Sequence, residues 1–169
     1  MSETMHKLVV QQVKPDHIRV VAPHVNELVE KACAFSNGRF DPQSVFENCA
    51  GLNQTHKWQL WVVFDPEGAT DENFKDHVKA VTVTSLNVYP TGQKVAETIL
   101  IGGKGPSEEW LHYFDTLKAW AKANGASRIQ FIGRRGWQRS MKSLGINWKP
   151  VATMFECDLE EADGPVERH

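Results

Sequence analysis

Apolar residues recur along this chain with two periods, and the switches between them divide it into elements. A short apolar strand, Leu8–Val13, comes first. Lys14-Pro15-Asp16-His17 then reads as a turn, with Asp16 capping the helix that follows. Ile18, Val21, Val25, Leu28, Val29 and Ala32 fall at helical spacing and predict a helix to Cys33. Pro23 inside that span predicts two helical pieces or a kink. After a break at Ser36-Asn37-Gly38, Asp41-Pro42 opens a second short helix through Asn48. Trp58–Phe64, WQLWVVF, is dense in β-branched and aromatic residues and reads as a strand. Asp65–Gly68 supplies turn chemistry, and the polar run to Asp76 reads as a surface loop. The alternation in Val78–Val88 predicts a third strand, which Tyr89–Gly92 turns back into a fourth, Lys94–Ile101.

Beyond a glycine-rich loop the helical period returns. Trp110, Leu111, Phe114, Leu117, Trp120 and Ala121 form an apolar face, opposite Glu108, Asp115, Lys118 and Lys122. Asn124-Gly125 ends that helix. Arg128–Ile132 reads as a strand, Trp137–Leu144 as a short helix and Val151–Leu159 as a final strand. The expected architecture is therefore α+β (mixed α/β) around a single central sheet, in one domain over residues 1–159. An acidic tail, 160–169, is expected to be flexible.

Composition narrows the function classes. A length of 169 residues suits one domain, and no apolar run approaches the roughly 18 residues that span a bilayer. The start, MSETMHKLVV, lacks the features of a signal peptide, so a cytoplasmic protein is expected. A net charge of −2 gives no bulk attraction to nucleic acid or to a membrane. Cys33, Cys49 and Cys157 form no CxxC pair, and neither metal-ligand spacing nor a disulfide framework is present. Three reduced, mostly buried thiols are expected.

The chemistry-bearing stretch is Ile99–Trp110, ILIGGKGPSEEW. Backbone amides at a helix N-terminus favour an anion, so the loop reads as a phosphate cradle. The plainer reading is a strand-to-helix turn, in which glycines permit positive φ and Ser107 caps the helix. Glu97 on the fourth strand and His77 at the start of the third are the candidate bases. Arg134, Arg135 and Arg139, around Trp137, form a basic cluster suited to an anion or an acidic partner, or to a solvated loop.

The element order and the loop together resemble the GNAT superfamily of N-acetyltransferases. In that family an RGxGxG/A-type loop joins the fourth strand to the main helix and holds the acyl-CoA pyrophosphate. Gly102-Gly103-Lys104-Gly105-Pro106-Ser107 matches it without a gap. The resemblance implies a mostly antiparallel, twisted sheet of about six strands flanked by about four helices. It also implies acetyl-CoA or another acyl-CoA as cofactor, no metal, and an amine acceptor. Gly102, Gly103, Lys104, Gly105 and Ser107 would be the cofactor-binding residues. A narrower likeness lies in Trp58–Val62, Leu100–Gly103, Glu109–Leu111, Trp120-Ala121 with Gly125, and Gly133–Arg139. These resemble small GNAT-like proteins of tailed phages and prophages, some of them internal virion proteins. That likeness implies a bacteriophage origin, the host cytoplasm or a packaged virion as location, and a phage or host protein as partner. An exposed sheet edge makes a homodimer an option.

Four departures imply a degenerate active site. Gly102 stands where the family's enzymes carry Gln or Arg. Pro106 removes an amide donor. Glu108 and Glu109 put carboxylates where a pyrophosphate would sit. Met141, which has no proton to give, occupies the place of the family's acidic tyrosine. Two functions therefore stand side by side: acetyl-CoA-dependent N-acetyl transfer, and a non-catalytic GNAT-fold binding or virion-associated module.

Overall fold

A computed structural model describes residues 8–52, 57–133, 135–143, 145 and 147–160. Within residues 8–133 a five-stranded sheet runs in the order β1-β2-β3-β4-β5. Its strands are β1 (Val9–Val13), β2 (Trp58–Phe64), β3 (Val78–Val88), β4 (Lys94–Gly103) and β5 (Arg128–Phe131). The first three pairings are antiparallel and the last, β4 with β5, is parallel. Parallel neighbours need a crossover, here supplied by the loop and helix that follow β4.

One sheet face is covered by α1 (Ile18–Cys33) and α2 (Pro42–Cys49). Val25, Leu28, Val29 and Ala32 of α1 join Leu60, Val62, Val81, Val83 and Leu100 in one buried cluster. The helical period was therefore read correctly, but two details were not. Pro23 lies inside a single continuous helix, on its exposed side, where water can solvate the carbonyl that loses its bond. Asp16 belongs to a 3-10 turn, Pro15–His17, and caps nothing: the N-cap of α1 is His17, with no side-chain bond. The cap of α2 is as expected, since Asp41 accepts from Ser44 N at 2.7 Å in a reciprocal capping box.

The other face carries α4 (Phe114–Ala123). Trp61 of β2 meets Trp120 edge-on at 5.3 Å, and Phe114 stacks on Phe131 of β5 at 6.1 Å. The expected helix from Trp110 is instead two 3-10 turns, Ser107–Glu109 and Leu111–Tyr113, ahead of a shorter α-helix. The polar loop after β2 also holds a one-turn helix, α3 (Phe74–His77), so His77 precedes the third strand.

The described residues from 135 to 160 belong to a second compact unit. It contains α5 (Arg135–Ser143). The strand expected at Val151–Leu159 is not formed, and the sheet has five strands among the described residues, where about six were expected. Val151, Met154, Phe155 and Leu159 all stand exposed. Alternation marks a segment that can pair but does not supply its neighbour.

Candidate functional site

Three features of β4 and its exit define the site. The first is a β-bulge. Val83 pairs with Leu100 and Thr84 with Thr98, so Ile99 is an extra residue on β4. A bulge leaves that residue out of the ladder and bends the strand. The run Ile99-Leu100-Ile101, which breaks the alternation of β4, is the sequence signal for it.

The second feature is divergence. β5 pairs with β4 only from Val95↔Arg128 to Thr98↔Phe131. β4 continues through Gly103, and among the described residues no strand pairs with Ile99–Gly103 on that side. The opening lies at the carboxyl ends of two parallel strands, where open sheets place ligands.

The third feature is the loop. Lys104 N donates to Lys79 O, Glu109 N to Pro106 O and Trp110 N to Ser107 O. Among the described residues the amides of Gly105, Ser107 and Glu108 have no backbone acceptor, and Pro106 has no amide. Gly105 lies at φ +68°, the left-handed region that glycine adopts without strain. Three amides on one short turn are thus left without a backbone partner among the described residues. Ser107 does not act as a cap: Pro106 is the N-cap, and no side chain bonds there.

Gly102 and Gly103 serve packing. A Cβ on Gly102 would lie 2.6 Å from Leu28 O, so α1 rests its backbone on β4 there. A Cβ on Gly103 would overlap the indole of Trp110, which crosses the opposite face and donates from Nε1 to Lys104 O at 3.1 Å. The Lys104 side chain donates to Lys75 O at 3.0 Å, and its charge acts on Glu27. Glu27 itself pairs with Lys75 at 2.8 Å, which lowers the Glu27 carboxyl and raises the Lys75 ammonium from their ordinary values. Glu108 and Glu109 are exposed, and Glu109 Oε2 reaches to 3.5 Å from the Cβ position of Gly105.

The structure does not bring the two candidate bases together. Glu97 pairs with Ser85, whereas His77 lies just before β3, whose Ala80 pairs with Gly103. Five residues of strand, on the order of 16 Å at ~3.3 Å each, separate those two rungs. His77 Nδ1 bonds Asp65 O at 3.0 Å, and Asp65 N donates to His77 O, so the pair closes the loop between β2 and β3. Glu97 is half-buried one residue before the end of the β4–β5 pairing, and accepts from Asn87 Nδ2 at 2.9 Å. Its other oxygen has no partner among the described residues.

Two buried hydroxyls on the α4 side went unnoticed in the sequence, where neither had a motif to mark it. Among the described residues, Thr98 Oγ1 and Tyr113 OH have no hydrogen-bond partner. Burial pushes the Tyr113 phenol well above its ordinary range. In the second unit, Arg139 is exposed and Met141 lies on α5, while Arg134 and the side chain of Arg135 lie outside the described residues. No cluster of His, Cys, Asp and Glu among the described residues suits a metal. None of the described helices is long and apolar enough to cross a membrane.

No protein-family model matches the chain, and no curated protein matches its sequence. Solved structures do match in fold. A structure, with acetyl-CoA, of a predicted acetyltransferase from Clostridium acetobutylicum is 13% identical at a TM-score of 0.58, covering 92% of this chain and 98% of its own. A Trypanosoma brucei acetyltransferase is 11% identical at 0.56, covering 90% and 100%. An aminoglycoside N-acetyltransferase in complex with CoA is 10% identical at 0.54, covering 93% and 99%. At such identities the likeness concerns the backbone, and on that ground the chain has the GNAT fold of the acetyltransferases.

Proposed function

We propose that this protein is an acyl-CoA-dependent N-acetyltransferase-like protein, binding acyl-CoA along the opening between β4 and β5. The observation that carries this reading is the alignment of bulge, divergence and loop along one strand. The unpaired amides of Gly105, Ser107 and Glu108 suit a pyrophosphate, and they follow Gly103, the end of β4, which stands five residues or roughly 17 Å beyond Thr98 at ~3.3 Å per residue. That span suits an extended pantetheine arm. The packing of Gly102 and Gly103 shapes the strand end, which leaves the anion to the three amides. Lys104, half-buried, contributes charge once its ammonium leaves Lys75 O. An acyl-CoA bound there supplies an activated thioester whose acyl group passes to an amine with release of the thiol.

Glu97 is the base best placed for that transfer. An acceptor amine is protonated at neutral pH and must lose its proton to become nucleophilic. The Asn87 carboxamide fixes one oxygen of Glu97 and leaves the other to take that proton. His77, tied at both ends to Asp65, acts as a loop closure in this reading. The test is kinetic. Glu97→Gln lowers turnover with an accepting amine by ~10²–10⁴-fold, the ordinary contribution of a general base, and leaves CoA affinity within a factor of two. Unchanged turnover removes Glu97 from the mechanism.

A second reading rests on Pro106, Glu108 and Glu109, which weaken the anion site. Under it the chain is a non-catalytic GNAT-fold module of bacteriophage origin, packaged with the virion through a phage or host protein. It predicts that the protein remains on washed phage particles and binds no CoA. Loss from washed particles counts against it.

A further inference from the structure

The α4 face of the sheet carries a row of threonines that differ in one respect. Thr82 Oγ1 donates to Leu100 O at 2.7 Å. Thr84 Oγ1 donates to Gln59 Oε1 at 2.9 Å and accepts from Trp61 Nε1 at 2.9 Å. Thr98 lies directly across from Thr84 and is buried too, at 3% exposure, yet among the described residues its hydroxyl has no partner. A buried hydroxyl without a partner is costly, and a valine would fill the same volume without that cost.

Its position gives the hydroxyl a use. Thr98 is the last residue of β4 paired with β5, and the bulge residue Ile99 follows it. The orphan group therefore sits at the closed end of the opening, one residue from Glu97. Successive strand residues face opposite sides, so Glu97 and Thr98 flank that end from the two faces of the sheet. Phe131, its partner on β5, stacks on Phe114 and makes the α4 side apolar. A hydrogen bond from Thr98 would thus act in dry surroundings, where it is strong.

We propose that Thr98 is a positioning residue for the acyl group: its hydroxyl donates to the carbonyl oxygen of a bound acyl thioester and holds that carbonyl at the closed end of the β4–β5 opening. The proposal rests on the acyl-CoA reading above. No covalent step passes through Thr98, which gives and keeps a single hydrogen bond. The same bond discriminates between acylated and free CoA, because free CoA has no carbonyl at that end.

Calorimetric titration of the full chain with acetyl-CoA and with CoA, for wild type, Thr98→Val and Thr98→Ser, tests it. Thr98→Val is expected to melt at or above the wild-type temperature, to bind acetyl-CoA about tenfold more weakly and to bind CoA unchanged. Thr98→Ser, which keeps the hydroxyl, restores the preference for acetyl-CoA. Equal acetyl-CoA affinity in Thr98→Val and wild type overturns the proposal while leaving the acyl-CoA reading intact. Equal weakening toward both ligands overturns it too, since the effect is then not on the carbonyl. A Thr98→Val protein that melts well below wild type shows the hydroxyl satisfied within the fold, and overturns it from the structural side. A wild type that binds neither ligand overturns the underlying reading and this proposal with it.

Discussion

Two adjacent glycines, Gly102 and Gly103, show how much a single hydrogen in place of a side chain decides. One receives the backbone of α1 on one face of β4, the other the indole of Trp110 on the opposite face. Their glycine identity would be required if no phosphate ever approached. Gly102→Ala sets a methyl against the Leu28 carbonyl, which is backbone and cannot rotate away. Such overpacking costs about 1–3 kcal/mol, so the urea midpoint is expected to fall accordingly. A midpoint equal to wild type would show that α1 stands further from β4 than described. The buried thiols give a second residue-scale outcome. Burial pushes Cys33 up to about 11 and Cys49 up to about 12, while Cys157 is exposed. At pH 8 a thiol reagent should label Cys157 at once and the other two only as the fold opens. The sign with pH follows from the raised values. The folded protein keeps protons that the unfolded chain releases above about 9, so these thiols lose stability from pH 9 toward 11. Rapid labelling of three thiols at pH 8 would contradict this burial.

At the scale of elements, the proposed function assigns ligand affinity to the loop and its helix start. The helix does not begin as one α-helical turn: two 3-10 turns precede it, and three amides are left over. Glu109 folds its carboxylate toward Gly105 and opposes an anion there. Glu109→Gln is therefore expected to tighten CoA binding several-fold in low salt, with the gain shrinking as salt rises, as for any exposed charge. Weaker binding by Glu109→Gln would place the anion elsewhere. Periodicity made α1 and α2 legible because each buries one face, while β2, buried on both faces, showed as a run dense in β-branched and aromatic residues and β3 as alternation. The two 3-10 turns were hidden because Trp110, Leu111 and Phe114 keep helical spacing while the backbone tightens. The bulge at Ile99 was legible only as a broken alternation, and Thr98 not at all, since an unpartnered hydroxyl has no sequence pattern.

For the whole molecule, the resemblance named the architecture correctly, and the solved acetyltransferase structures share it across nearly the full chain. Legibility stopped at the sixth strand and at the site. Val151–Leu159 alternates as a strand should, but period alone does not provide an edge to pair with. Glu97, on the fourth strand, and His77, at the start of the third, were alike in the sequence as isolated ionisable residues, and only the register of β3 on β4 separated them. Fold likeness leaves open whether this chain uses acyl-CoA, because a fold hosts many functions. Calorimetric titration of wild type and Gly105→Glu with CoA decides it most directly. The proposed site predicts saturable binding of one CoA per chain, abolished by Gly105→Glu, which sets a carboxylate on a positive-φ residue among the three free amides. No heat of binding at millimolar CoA, or equal binding by the variant, would contradict it.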